Sequence, residues 1–317
     1  MSAVLFTGAG FSYNWGGWLA DDVFEYLLGD LSLIPSIRNQ LWQDKSVGGN
    51  YETTIQALRD RARAGDDGDY KTMNSMLAGM FSIMNQAFSR QGFQFNHTSD
   101  ISYQITTFMQ RFDYIFTLNQ DTLLERHYLT EGFGITSQRR WNGYCIPGVE
   151  PSNPAGSRNF DLQRVNRSDF RFAPQTQPYV KLHGSSNWIT ETGYLLISGG
   201  NKEADINEVP LLAWYAEQFR RVITNASARV MIIGYGFGDE HINRMFVEAA
   251  KAGARFFIVN PMGTSMLFKP IAPGTSGLNL SEHMAQQTIG ASRRGLSSTF
   301  STDSVEFIKL NRFLSTN

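Results

Sequence analysis

Apolar residues fall along this chain in two patterns. Short unbroken runs occur at Ser2 to Phe6, Asp113 to Thr117, Tyr179 to Leu182, Arg229 to Gly234 and Ala254 to Asn260. Runs of this length, closed by Gly, Asn or His, predict strands buried on both faces. Between them, apolar residues recur at three-to-four spacing, the mark of amphipathic helices. That spacing predicts a helix starting near Trp15 to Trp18 and running through Asp21 to Leu28. Others are expected at Tyr51 to Ala64, Tyr70 to Ser89, Ser99 to Arg111, Thr122 to Tyr128 and Pro210 to Asn225. Asp239 is a good N-cap for one more, through Ala250. Weaker signals predict a strand at Leu195 to Ser198, a helix at Ser281 to Ile289 and a last strand at Ser304 to Leu310. Strands alternating with helices predict an α/β fold: a Rossmann-like, doubly wound, mostly parallel sheet covered on both faces.

The whole chain, 1–317, reads as a single domain. The block at about 30–111 reads as a helical insert after the first strand, or as ordinary layer helices. Gly132 to Ala173 reads as an irregular loop. It carries Arg139, Arg140, Arg158, Arg164, Arg167 and Arg171 against Glu150, Asp161 and Asp169. A binding surface or a solvated loop both fit that composition.

Composition narrows the function. With 42% apolar residues, 18% charged residues and a net charge of -1, a folded protein is expected, with no bulk attraction to nucleic acid or an anionic membrane. The N-terminus does not read as a secretory signal, and no apolar stretch nears the roughly 20 residues of a membrane span. A cytoplasmic protein is the expectation. Cys145 is the single cysteine, so one chain can build neither a disulfide framework nor a cysteine zinc cage. No His or Cys pairs stand at metal-ligand spacing, and no metal is expected.

Polar residues gather where predicted strands end: Gly8 to Ser12, Asn119 with Asp121, His183, Gly234 to Gly238, and Asn260. In parallel α/β sheets, ligands collect at those carboxyl ends. Gly8-Ala9-Gly10-Phe11-Ser12 follows a strand and precedes a helix, the layout that holds a phosphate. Tyr13 stands where a dehydrogenase fingerprint has its third glycine, and no Gly-Lys-Ser/Thr marks a P-loop.

Five segments, in order, resemble the sirtuin family: Gly8-Ala9-Gly10-Phe11-Ser12, Thr117-Leu118-Asn119-Gln120-Asp121, Leu182-His183-Gly184, Gly234-Tyr235-Gly236-Phe237 and Val259-Asn260. The likeness departs from the family at Gly236, where a serine is usual, and in lacking the four-cysteine zinc ribbon. It is nearer to the sirtuin-like NADases of bacterial anti-phage defence. The resemblance implies NAD as substrate, cleaved to nicotinamide and ADP-ribose in an abortive-infection response. It assigns Gly8, Ala9, Gly10, Phe11 and Ser12 to the pyrophosphate and nearby ribose, with Thr117 beside them. Gly234, Tyr235, Gly236 and Asn260 fall to the adenosine half. Asn119 would hold the ribose or the attacking water, Asp121 would orient the nicotinamide, and His183 would be the general base. It further implies control through a homo-oligomer, a separately encoded sensor protein, or both. A nucleotide-binding regulatory module is the alternative. Protein deacylation is disfavoured by the missing cysteines.

Overall fold

The computed structural model describes residues 2–95, 100–130, 140–152, 158, 160–165, 170–191, 193–268 and 278–315. Arg139, Arg167, Asp169 and much of the Arg-rich loop lie outside the described residues. Seven strands form one parallel sheet: β1 (Ala3–Thr7), β2 (Tyr114–Thr117), β3 (Tyr144–Cys145), β6 (Gln177–Lys181), β9 (Arg229–Ile233), β10 (Arg255–Val259) and β11 (Thr288–Ser292). Their order is β11-β10-β9-β1-β2-β6-β3. A second sheet, of order β4-β5-β7-β8, holds β4 (Val149–Pro151), β5 (Gln163–Val165), β7 (Gly184–Thr190) and β8 (Gly193–Leu196).

The central strands are apolar throughout because both faces are covered. Successive side chains point to opposite faces. Val4, Phe6, Val230, Ile232, Phe256 and Ile258 enter one core. Leu5, Met231, Ile233, Phe257 and Val259 enter the other. The first core is closed by α8 (Pro210–Ile223) and α9 (Glu240–Lys251), following α7 (Lys202–Glu208). α8 offers Leu211, Leu212, Tyr215, Phe219 and Ile223, a face at three-to-four spacing. α10 (Leu280–Met284) also packs here, through Leu280 and Met284. The second core is closed by α6 (Ile105–Met109), α11 (Leu296–Thr299) and α12 (Ser304–Ser315).

Between β1 and β2 stand α1 (Ala9–Tyr13), α2 (Ala20–Gly29), α3 (Pro35–Ser46), α4 (Tyr51–Arg63) and α5 (Gly68–Phe88). Helices α2 to α5 bury a third core of their own, including Phe24, Leu27, Ile37, Leu41, Ile55, Leu58, Met73 and Leu77. Trp18 and Phe81 pack against both this core and the sheet's second core. Among the described residues no helix is long and apolar enough to cross a membrane.

Several elements differ from the sequence expectation: the segment at 132–173, expected to be an irregular loop, contributes β3, β4 and β5, and the helix expected at Ser99 to Arg111 is broken before α6. The first helix begins at Ala9, directly on Gly8. It ends early because the Asn14 side chain donates to the Gly10 and Phe11 carbonyls and Gly16 turns the chain at φ +82°. The expected last strand at Ser304 to Leu310 is helix α12, whose buried face is Phe307, Leu310 and Phe313. The expected helix at Ser281 to Ile289 stops before β11, a partly exposed edge strand with a weak apolar pattern.

Candidate active site

From the adjacent strands β1 and β9, the sheet grows to β2 on one side and to β10 on the other. This is the switch point of an open α/β sheet, where loops diverge and leave a crevice. Both glycine turns meet there. The Gly8 amide donates to Ile233 O (3.0 Å) and the Gly10 amide to Gly234 O (2.9 Å). A Cβ on Gly8 would stand 2.8 Å from Gly234 O, and one on Gly10 2.8 Å from Gly234 Cα. A Cβ on Gly234, at φ +67°, would stand 2.2 Å from the Phe11 amide nitrogen. These glycines are required so that one turn can press backbone-to-backbone on the other. Both amides are taken up in this contact, so Gly8 and Gly10 serve the meeting of the two turns. Gly236 is different: nothing lies within 4 Å of an added Cβ, so its face is open.

The turns wall a cavity of about 780 Å³. Gly8, Ala9, Gly10, Gly234, Tyr235 and Gly236 form its floor. Asn119, Asp121 and His183 enter from the ends of β2 and β6, while Asn260, Arg294 and Leu296 close the far end. The helical block supplies the remaining wall: Trp18, Val23, Tyr51, Glu52, Met80 and Met84. Asn260 Nδ2 also donates to Tyr235 O at 3.1 Å, tying the far end to the second turn.

The 119–121 loop is fixed from three sides. Asn119 Nδ2 donates to Ser12 Oγ (2.8 Å), and the Gln120 side chain donates to the carbonyls of His183 (3.0 Å) and Ile197 (2.7 Å). Lys181 Nζ donates to Asp121 O at 2.5 Å and to Glu125 Oε1 at 2.5 Å, both fully out of solvent. Tyr179 OH completes the knot by donating to Glu125 Oε2 at 3.0 Å. Burial pushes the Glu125 carboxyl up, and Lys181 opposes it. Asp121 Oδ1 accepts the Leu123 amide (2.9 Å), so this carboxylate caps the chain that follows and also faces the cavity. Asn119 is 8% exposed, and its Oδ1 accepts no hydrogen bond from the described residues. A buried carbonyl without a donor is a costly feature that a ligand hydroxyl can relieve.

His183 sits where the chain leaves β6 for the second sheet. Gly184 makes that corner at φ +74°, with Leu195 O so close that a Cβ would stand 2.1 Å away. His183 is buried, and its Nε2 lies 3.2 Å from His241 Nε2. His241 is in the first turn of α9, just after Asp239. Lys202 Nζ bridges Asp239 Oδ1 (2.7 Å) and Glu52 Oε1 (2.8 Å). Burial, with help from Lys202 and His241, pulls the His183 imidazole down to about 3, against the attraction of Asp239. Burial likewise lowers His241. For Asp239, burial opposes the charge, but Lys202 and the imidazoles outweigh it and hold the carboxyl below its usual range. At neutral pH both imidazoles are therefore uncharged beside an ionised carboxylate. The His183 imidazole thus stands well below the range of a free histidine.

Ten of the residues singled out from sequence line the one cavity: Gly8, Ala9, Gly10, Asn119, Asp121, His183, Gly234, Tyr235, Gly236 and Asn260. Three stand behind its wall. Phe11 is in the core against Trp15, with ring centroids 5.2 Å apart. Ser12 is buried on Asn119. Thr117 Oγ1 accepts from Thr7 Oγ1 at 2.8 Å. Sequence reasoning passed over Tyr51, Glu52, Lys202, Asp239 and His241. Asp239 is expected from the sequence only as a helix cap. The short spacing from Gly238 through Asp239 to His241 was the available signal. Among the described residues no cluster of three or more His, Cys, Asp or Glu could hold a metal ion.

Fold and crevice define a Rossmann-type α/β protein with its site at the switch point. Residues 113–268, just under half of the chain, match a family model described as a SIR2-like domain. That segment includes Asn119, His183 and both ends of the second glycine turn. Among solved structures, a Sir2 homologue–NAD complex is similar at 13% identity and a TM-score of 0.43, covering 99% of this chain and 90% of that one. A mutant Sir2 homologue bound to 2′-O-acetyl ADP ribose is similar at 14% identity and a TM-score of 0.41, covering 99% and 94%. No curated protein matches the chain.

Proposed function

We propose that the cavity binds NAD and cleaves its nicotinamide–ribose bond, giving nicotinamide and ADP-ribose. The observation that carries this reading is the pairing of Asn119 and His183 in one cavity walled by the two glycine turns. A volume of about 780 Å³ suits a ligand of dinucleotide size. The unpartnered Asn119 Oδ1 fits a ribose hydroxyl or a water held for attack. Nicotinamide leaves as a neutral base from a cationic pyridinium, so the sugar passes through an oxocarbenium-like state. His183, uncharged and facing the cavity, would take the proton of the hydroxyl or water. Asp239 would stabilise the charge that results.

We read the chain as one such domain, with the helices at about 30–111 inserted and walling the nicotinamide end. Unchecked NAD loss would poison the cell. This supports a role as the toxic effector of an anti-phage system, restrained until an assembly or a separately encoded sensor releases it.

A second reading is a module that binds NAD or ADP-ribose without turnover. The depth of His183 burial and the occupation of its Nε2 by His241 favour it. Chromatography of NAD incubated with purified protein, alone and with the product of the neighbouring gene, separates the two. Nicotinamide release that is lost in His183→Ala and Asn119→Ala supports cleavage. NAD bound but intact under every condition supports the module.

A further inference from the structure

The sirtuin-like reading uses one histidine, and the structure puts a second against it. Nε2 of His183 and Nε2 of His241 are 3.2 Å apart, with the rings tilted by 32°. Two imidazole nitrogens at that distance share one proton. If His241 supplied it, His183 would have no lone pair left for a substrate: Nε2 would accept from His241 and Nδ1 would carry the other hydrogen. If His183 supplies it, Nδ1 of His183 is a free acceptor and Nε2 of His241 can receive a proton.

We propose that His183 and His241 work as a proton-relay dyad, with His241 as the positioning residue and Asp239 as the anchor of the charge. The inference rests on the NAD-cleaving reading. The hydroxyl or water gives its proton to His183 Nδ1 as its oxygen bonds to, or settles against, the ribose. The hydrogen on His183 Nε2 passes to His241 Nε2. His183 ends neutral with its hydrogen on Nδ1, and His241 ends as imidazolium. The proton lost by the ligand is the one gained by the dyad, and nicotinamide departs with the electron pair of the broken C–N bond.

The surroundings suit a charge that arrives late. Asp239 belongs to the turn that starts α9 and acts on both rings, and Tyr235 OH receives its backbone N–H at 3.1 Å. From α7, Lys202 holds Asp239 and Glu203 adds a second carboxylate; from α4, Glu52 holds Lys202 and Tyr51 lies beside it; from α9 itself, Arg244 opposes. Lys202 is countered by Glu52 and Asp239, and Arg244 by Glu203, so the attraction of Asp239 offsets part of the burial that a proton on His241 must meet.

Two variants separate relay from packing. His241→Gln keeps an amide near the place of Nε2 but cannot carry the proton, and His241→Phe keeps only bulk. The relay predicts that both lower kcat for NAD by roughly 100-fold, with KM changed less than about threefold. Wild-type kcat in His241→Gln would overturn it. Nitrogen-15 spectra of the side chains supply a test that needs no turnover. In the wild type the two imidazoles should titrate as a coupled pair, and in His241→Gln the coupling should vanish, leaving His183 a single-site curve. Superimposable His183 titrations in the two proteins would overturn the dyad. Coupled titration in a protein that leaves NAD intact would overturn the cleavage reading and leave the pair as a shared proton site.

Discussion

Removing Lys181 exposes the structure to a test that is independent of any ligand. Lys181 and Glu125 are 0% and 1% exposed, and their 2.5 Å pair also holds the Asp121 carbonyl and the Tyr179 hydroxyl. Lys181→Met leaves a carboxylate in the protein interior with Tyr179 as its remaining side-chain donor. Breaking one side of a buried pair costs about 3–5 kcal/mol, a large part of the 5–15 kcal/mol typical of a folded domain. The loss must also depend on pH. Without Lys181, the main offset to the burial that already raises Glu125 is gone, so its folded-state pKa climbs further above the unfolded value. A raised pKa gives stability that is complete below the unfolded value and disappears as pH rises through the folded one. The deficit of Lys181→Met should therefore be largest near pH 8 and should narrow at pH 5. Lys181→Met with Glu125→Gln should recover much of it, because an amide can still meet Tyr179 without charge. Urea unfolding at the two pH values measures this. A deficit below about 1 kcal/mol, or one equal at both pH values, would refute the claim that the pair is a buried, charge-dependent clamp.

Other perturbations should separate structural from ligand-facing roles. Gly234→Ala should cost about 3 kcal/mol in urea unfolding, because φ is positive and the added Cβ meets the Phe11 amide; Gly236→Ala should leave stability within roughly 0.5 kcal/mol. Ser12→Ala removes the hydroxyl that holds Asn119 Nδ2, so NAD affinity by calorimetry should fall by roughly tenfold, with about 1–3 kcal/mol of stability lost for the buried amide left unpaired. His183 is lowered to about 3 by burial, so the unfolded chain binds its proton first and stability drains away as pH falls below the free value. Between pH 7 and 4.5 the wild type should lose roughly 2–3 kcal/mol more than His183→Gln; parallel pH curves would contradict the assigned burial.

The sequence made the sheet legible because its inner strands are apolar on both faces, as at Val230 to Ile233, and end in residues with no place inside a sheet. The same ends exposed Asn119, His183 and the two glycine turns. The reason for the glycines was hidden, since it depends on one turn touching another more than two hundred residues away. His241 was hidden for a related cause. Its helix shows a good apolar face through Ile242, Phe246 and Val247, and only the packing of α9 against the His183 corner reveals that the first turn is buried as well. The Arg-rich segment concealed β3, β4 and β5 because strands of two or three residues leave no periodicity to read. At the C-terminus, Val305, Phe307 and Ile308 suggest alternation over a short window. The helical spacing of Phe307, Leu310 and Phe313 emerges over a longer one.

The account stands most directly on whether the crevice between the two turns holds a dinucleotide. Calorimetric titration of NAD into the wild type and into Gly236→Trp measures that, since Gly236 lines the cavity and a Cβ there meets nothing within 4 Å. One NAD bound per chain in the wild type, with binding abolished in a Gly236→Trp protein of unchanged melting temperature, is the predicted result. Equal binding to both proteins would contradict it.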